Sequence, residues 1–240
     1  MDLPIYLDCN ATAPMDPAVR ETVVHWFADE VGNAGSRTHG YGARALKAVR
    51  AAREQVARVL DAASDEVLFT AGATESNNMA ILGLAPHGDQ CGRRHVVSTL
   101  IEHKAVLEPL EILAERGFEV TLVPPDATGA VAADAVIAAV RDDTLLVSVM
   151  HVNNETGIRQ PIARIASGLE GREAYLHVDA AQGFGKELEP LRLPRIDLVS
   201  VSSHKIYGPV GSGARLARRR GFDRIPLAPR AYGGGQERGL

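Results

Sequence analysis

Five polar stretches hold the residues best suited to chemistry, and each directly follows a short apolar run. Gly72-Ala73-Thr74-Glu75-Ser76-Asn77-Asn78 puts a glycine ahead of hydroxyl and amide residues at a helix start. That arrangement suits an anion held by free N–H groups and the Thr74 hydroxyl, and it equally suits plain helix capping, the commoner use. Glu102-His103-Lys104 offers an imidazole that can stack on an aromatic ligand or relay protons near neutral pH. Taken alone, a single histidine is more often a satisfied surface or core residue. His151, Asn153, Asn154 and Glu155 place two amides ahead of Gly157, where they either bond a ligand or build a turn. Asp179, followed by Ala180, Ala181 and Gln182, ends another run. A carboxylate at a strand terminus can hold a pyridinium nitrogen protonated and so improve an electron sink. Ser202, Ser203, His204 and Lys205 end the last run, with Gly208, Gly211 and Gly213 expected to form a loop that leaves space beside the amine. A lysine whose pKa is depressed in a pocket forms an imine, whereas a lone lysine after a strand is ordinarily solvated. The position of Lys205 one strand after Asp179 is what raises its weight.

These residues need a frame that brings strand ends together. Six apolar runs predict strands: Val67 to Thr70, Val96 to Ser98, Val120 to Val123, Leu145 to Val149, Tyr175 to Val178 and Leu198 to Val201. Helix-like segments at Thr74 to Leu84, Ala105 to Arg116, Ala133 to Val140 and Ile162 to Leu169 alternate with them. Pro109 is expected to spoil the second of these unless it lies near the helix start. The alternation predicts an α/β fold, a mainly parallel sheet with helices on both faces, in which ligands sit beyond the carboxyl ends of the strands. Two helices precede the sheet. Asp16 reads as an N-cap and Pro17 as the first helical residue, with Val19, Val23, Phe27 and Val31 as the apolar face and Gly32 as the stop. A second helix is expected from about Ala43 to Leu60, with Leu46, Val49, Val56 and Leu60 on one side. Gly233-Gly234-Gly235-Gln236-Glu237-Arg238-Gly239-Leu240 reads as a permissive loop leading onward, as in a fragment of a longer protein.

Composition narrows the function classes. Of 240 residues, 45% are hydrophobic, enough for a real core, and the formal net charge of −4 gives no reason to expect nucleic acid or an anionic membrane as partner. The basic residues cluster only at Arg218, Arg219 and Arg220. Two cysteines, Cys9 and Cys91, with no CxxC pair and no histidine cluster at ligand spacing, support neither a disulfide framework nor a metal site. A reducing cytoplasm and no membrane span are expected.

Together the five stretches resemble the cysteine desulfurases, class V members of the fold-type I pyridoxal phosphate enzymes. The carrying motifs are Gly72-Ala73-Thr74-Glu75-Ser76-Asn77, Glu102-His103-Lys104, His151-Val152-Asn153-Asn154-Glu155-Thr156-Gly157, His177-Val178-Asp179-Ala180-Ala181-Gln182 and Ser202-Ser203-His204-Lys205-Ile206-Tyr207-Gly208-Pro209. Leu7-Asp8-Cys9-Asn10-Ala11-Thr12, the stretch from Gly32 to His39 and the terminal Gly-Gly-Gly-Gln-Glu-Arg-Gly also fit, so the resemblance runs the length of the chain in order. It implies pyridoxal 5′-phosphate as cofactor and Lys205 as both the Schiff-base lysine and the base for the substrate Cα proton. By the same resemblance His103 stacks on the ring, Asp179 pairs with the ring nitrogen and Gln182 bonds the phenolic oxygen. Thr74, Ala73, Ser202 and His204 hold the phosphate, and Asn153 places the substrate carboxylate. The implied reaction takes L-cysteine to alanine and an enzyme persulfide in a homodimer, for a sulfur-acceptor protein serving iron-sulfur clusters, tRNA thiolation or DNA sulfur modification. The implied organisation assigns residues 1–15 to a small domain and 16–240 to the cofactor-binding large domain.

Cys9, Ala13 and Ala34-Gly35 depart from the commoner family residues, and the family's persulfide cysteine, substrate-binding arginine and most of the small domain lie beyond the last residue of this chain. Cys9 and Cys91 read as structural or incidental thiols. A selenocysteine lyase, or another class V lyase or aminotransferase, shares the same cofactor residues. An inactive structural or sulfur-carrier subunit is the alternative outside enzymes.

Overall fold

The computed structural model describes residues 4–239, so Leu240 of the expected terminal loop and the first three residues fall outside it. Two helices come first. The Asp16 carboxylate accepts from Ala18 N at 2.8 Å and starts α1 (Pro17–Ala28), with Pro17 in the first turn, where its missing N–H is not needed. The expected apolar face of α1 does not pack: the helix contains no buried residue, Phe27 is 88% exposed, and Val31 lies beyond its end. His39 Nδ1 accepts from Gly42 N at 3.2 Å, which starts α2 (Gly40–Val59) three residues earlier than the apolar pattern alone predicts.

Strands and helices then alternate as far as β5, after which two further strands follow: β1 (Val67–Thr70), α3 (Ala73–Cys91), β2 (His95–Thr99), α4 (Lys104–Glu115), β3 (Glu119–Val123), α5 (Ala133–Ala138), β4 (Thr144–Met150), α6 (Ile162–Gly168), β5 (Tyr175–Asp179), β6 (Leu198–Ser202) and β7 (Gly213–Ala217). All six expected strands are present, and β7 is a seventh, starting at a glycine that reads from sequence as part of a loop. The sheet order is β3-β2-β4-β5-β6-β7-β1. The pairs from β3 through β6 are parallel, while β7 runs antiparallel to both β6 and β1. The carboxyl ends of β1, β2, β4, β5 and β6 therefore share one edge. Pro109 does not break α4, and α3 continues through Pro86 to Cys91 instead of stopping near Leu84. Both prolines lie in helices that bury many apolar side chains, and tertiary packing outweighs one lost backbone hydrogen bond.

Two apolar cores cover the two faces of the sheet. Ile81 and Leu84 from α3 and Leu110 and Leu113 from α4 form one with Val96, Leu146 and Leu198. Ala57, Val136, Ile162 and Ile165 from α2, α5 and α6 pack on the other face with Val147, Leu176 and Val199. Full burial of each larger aliphatic side chain contributes about 1.5–3 kcal/mol, so both cores hold the strand ends in fixed relation. The terminal segment is not a free loop. The Glu237 carboxylate accepts from Arg53 at 2.6 and 2.7 Å and from Phe69 N at 2.8 Å, which ties the turn Gln236–Gly239 to the edge strand β1. Among the described residues, no helix is long and apolar enough to cross a membrane.

Candidate active site at the carboxyl ends of the strands

The shared edge opens into a cleft of about 820 Å³. Ala73, Thr74, His103, Asp179, Gln182, Ser202, His204 and Lys205 all line it, so eight of the nine residues singled out from sequence meet in one place. Asn153 is the ninth and does not line it. Its Oδ1 accepts from Glu155 N, Thr156 N and Thr156 Oγ1, and its Nδ2 donates to Ile101 O at 3.1 Å. The turn-building reading is thus the one the geometry gives Asn153, and Asn154 and Glu155 reach the cleft instead.

Close backbone packing shapes the floor. Gly72 caps α3 with φ +155° and ψ −176°, a region essentially restricted to glycine. A Cβ on Gly213 would stand 2.6 Å from Gly72 Cα and 2.5 Å from Val201 O, so only glycine lets β7 lie against the start of α3. The first N–H groups of α3 have no partner within the helix and would meet a bound anion with the favourable end of the helix dipole. At the end of β5, the Asp179 carboxylate accepts from Asn77 Nδ2 at 2.7 Å and Ala181 N at 3.0 Å. Asn77 belongs to the stretch after β1, where sequence assigns it no separate role; it is fully buried, and its Oδ1 has no partner.

Residues 10–16 lie across the lysine turn. Gln182 Nε2 donates to Asn10 O at 2.8 Å, Ala13 N to His204 O at 2.8 Å, and Asp16 N to Tyr207 O at 2.9 Å. Tyr207 holds φ +64°, unusual for a bulky residue and sustained here by its neighbours. His103 Nδ1 accepts from Ala105 N at 3.1 Å as the cap of α4.

Burial pushes the Lys205 amine below its ordinary pKa, Asp179 and Glu155 pull it back upward, and Lys186 adds to the lowering. Burial also lowers His204, with Lys205 contributing, and lowers His151. A half-buried amine, a carboxylate oriented by two donors, a helix N-terminus and an imidazole around one cleft are the kinds of group that would hold pyridoxal phosphate. Neither Cys9 nor Cys91 lines the cleft.

Residues 5–238 match the aminotransferase class-V family. The cysteine desulfurase IscS of Vibrio cholerae serotype O1 (strain O395) is 47% identical over 242 residues, covering 100% of this chain and 59% of that protein. The chain thus spans about three fifths of the length of this curated relative. Among solved structures, DndA from Streptomyces lividans superposes with a TM-score of 0.89 at 54% identity, covering 98% of this chain and 66% of that one. A structure of SspA in complex with cysteine gives a TM-score of 0.90 at 39% identity, covering 98% and 67%. With the match running through every strand end that builds the cleft, the chain belongs to the aminotransferase class-V family, among its cysteine desulfurase homologues.

Proposed function

We propose that this chain is the cofactor-holding large domain, residues 16–240, of a pyridoxal phosphate-dependent cysteine desulfurase, with residues 1–15 belonging to a small domain. The observation that carries the reading is the meeting of Lys205 and Asp179 in one cleft with the N-terminus of α3. Bound there, pyridoxal phosphate supplies an electron sink that acidifies the Cα–H of an amino acid. Lys205 is the covalent anchor and accepts the Cα proton at Nζ; burial raises the share of free amine available for both tasks. Asp179, oriented by Asn77 and Ala181, pairs with the ring nitrogen. Ala73, Thr74, Ser202 and His204 would hold the phosphate, His103 would face the ring and Gln182 would bond its phenolic oxygen. Asn153 acts through the turn that delivers Asn154 and Glu155 to the cleft.

The substrate in this reading is L-cysteine and the carbon product alanine, with sulfur passed to a cysteine outside this chain, since Cys9 and Cys91 are absent from the cleft lining. Reconstitution with pyridoxal phosphate followed by borohydride and peptide mass analysis tests the anchor. A pyridoxyl increment on Lys205, absent from Lys205→Ala, is expected; a colourless protein after reconstitution overturns the reading. Sulfide release from L-cysteine by these 240 residues alone would overturn the assignment of the sulfur acceptor.

A further inference from the structure

Glu102 sits between β2 and α4 and takes no part in the chemistry above. It is 6% exposed. Its Oε1 accepts two hydrogen bonds, from Thr99 Oγ1 at 2.6 Å and from Met150 N at 2.8 Å, while Oε2 is buried without a partner. Thr99 ends β2 and Met150 ends β4, and the ladder between those strands reaches only to Val97 and Val147. The carboxyl therefore joins the two strand ends where backbone pairing has stopped. What hangs on the join is the cleft itself: His103 follows Glu102 directly, and Met150 is the register partner of Asp179.

We propose that Glu102 is a positioning residue of the cofactor cleft, a carboxyl staple between β2 and β4 that fixes the spacing of His103 and Asp179. The inference rests on reading the cleft as a pyridoxal phosphate site. A buried carboxylate ion with one oxygen unpartnered is costly, and the neutral acid lowers that cost by removing the charge. Burial pushes the Glu102 pKa up to about 8; the bonds from Thr99 and Met150 oppose the rise and the charge of Asp179 adds to it. Asp179 is the charged group that acts on Glu102; along the chain His103 and Lys104 follow it directly, and His151 follows its partner Met150. A neutral Glu102 leaves Asp179 as the carboxylate available to the ring nitrogen.

The pH consequence has a definite sign. Unfolded, Glu102 loses its proton near 4.5; folded, it keeps it to about 8. Its contribution to stability is thus present below pH 4.5 and is lost as pH rises to 8, where it levels off.

The test compares wild type, Glu102→Gln and Glu102→Ala without cofactor and after reconstitution. In the unliganded protein, the Tm of wild type relative to that of Glu102→Gln is expected to fall between about pH 5 and 8.5, by on the order of several degrees for one such group, a difference in which the titration of His177, common to both proteins, cancels. Cofactor affinity is expected to weaken about tenfold in Glu102→Ala and to be restored by Glu102→Gln, which keeps the acceptor and carries no charge. Parallel pH curves for wild type and Glu102→Gln, or a Gln variant as weak as the Ala variant, overturn the proposal. Wild type that binds no pyridoxal phosphate overturns the functional reading instead, and the pH comparison of the unliganded protein still decides the staple.

Discussion

The two ends of the sheet use their buried polar groups differently. At the amino ends, Asp197 accepts from Leu176 N at 2.7 Å, Arg195 at 2.8 Å and Arg220 at 2.7 and 2.9 Å, and His95 places its ring nitrogens on Thr144 at 2.7 Å and Thr121 at 2.9 Å. Arg93 and Arg218 leave Nε unpaired there, yet each sets another nitrogen on a backbone carbonyl. At the carboxyl ends, Asn77 Oδ1, Glu102 Oε2 and His151 Nδ1 are buried with no partner. Unsatisfied buried groups cost stability wherever they occur, and proteins tolerate them where a ligand or a reaction uses them. The amino ends hold the sheet together; the carboxyl ends are arranged for something to bind.

Substitutions at the two ends should separate these roles. The largest loss of stability is expected from Asp197→Ala, which strands Arg195 and Arg220 without their carboxylate and should cost about 3–5 kcal/mol in urea unfolding. Next comes a pH effect between the two ends. His177 bridges Ser148 and Ser200 at 2.8 and 2.9 Å, and burial lowers its pKa to about 4, with Asp179 opposing and Arg215 adding to the shift. The unfolded chain binds this proton near pH 6.5, so stability should rise from pH 4 to 6.5 by on the order of 3 kcal/mol, a slope that His177→Asn should remove. Gly213→Ala should cost about 1–3 kcal/mol by driving β7 from Gly72, and should weaken phosphate binding as well. The smallest stability change, about 1 kcal/mol, is expected for Asp179→Asn, which should nevertheless markedly weaken pyridoxal phosphate binding, read by the absorbance retained after reconstitution and dialysis. A cost at Asp179 equal to that at Asp197 would break the contrast between the ends.

The sequence made the frame legible because the central parallel strands are runs buried on both faces, and it made most of the cleft legible because polar residues follow those runs directly. It concealed β7 for local reasons. Gly213 is demanded by Gly72, and Arg215 is 1% exposed in the middle of the strand, so neither residue resembles a buried strand in isolation. Phe27 shows the opposite failure: helical spacing located α1 without saying whether its apolar face is covered. The role of Asn153 depended on where a turn closes, and the importance of Glu102 on β4 lying beside β2, a long-range pairing that no local pattern contains.

The ties between residues 10–16 and the turn after Lys205 bear on the order in which the protein assembles. The hydrogen bonds from Gln182 to Asn10 and between His204 and Thr12 span 172 and 192 positions, enclosing nearly all of the sheet. Such closures are entropically late, since intervening strands shorten the effective loop before its ends can meet. On a ribosome, the opening residues emerge first and must wait for the lysine turn to follow. The cleft is therefore expected to be completed near the end of folding, after the frame that supports it.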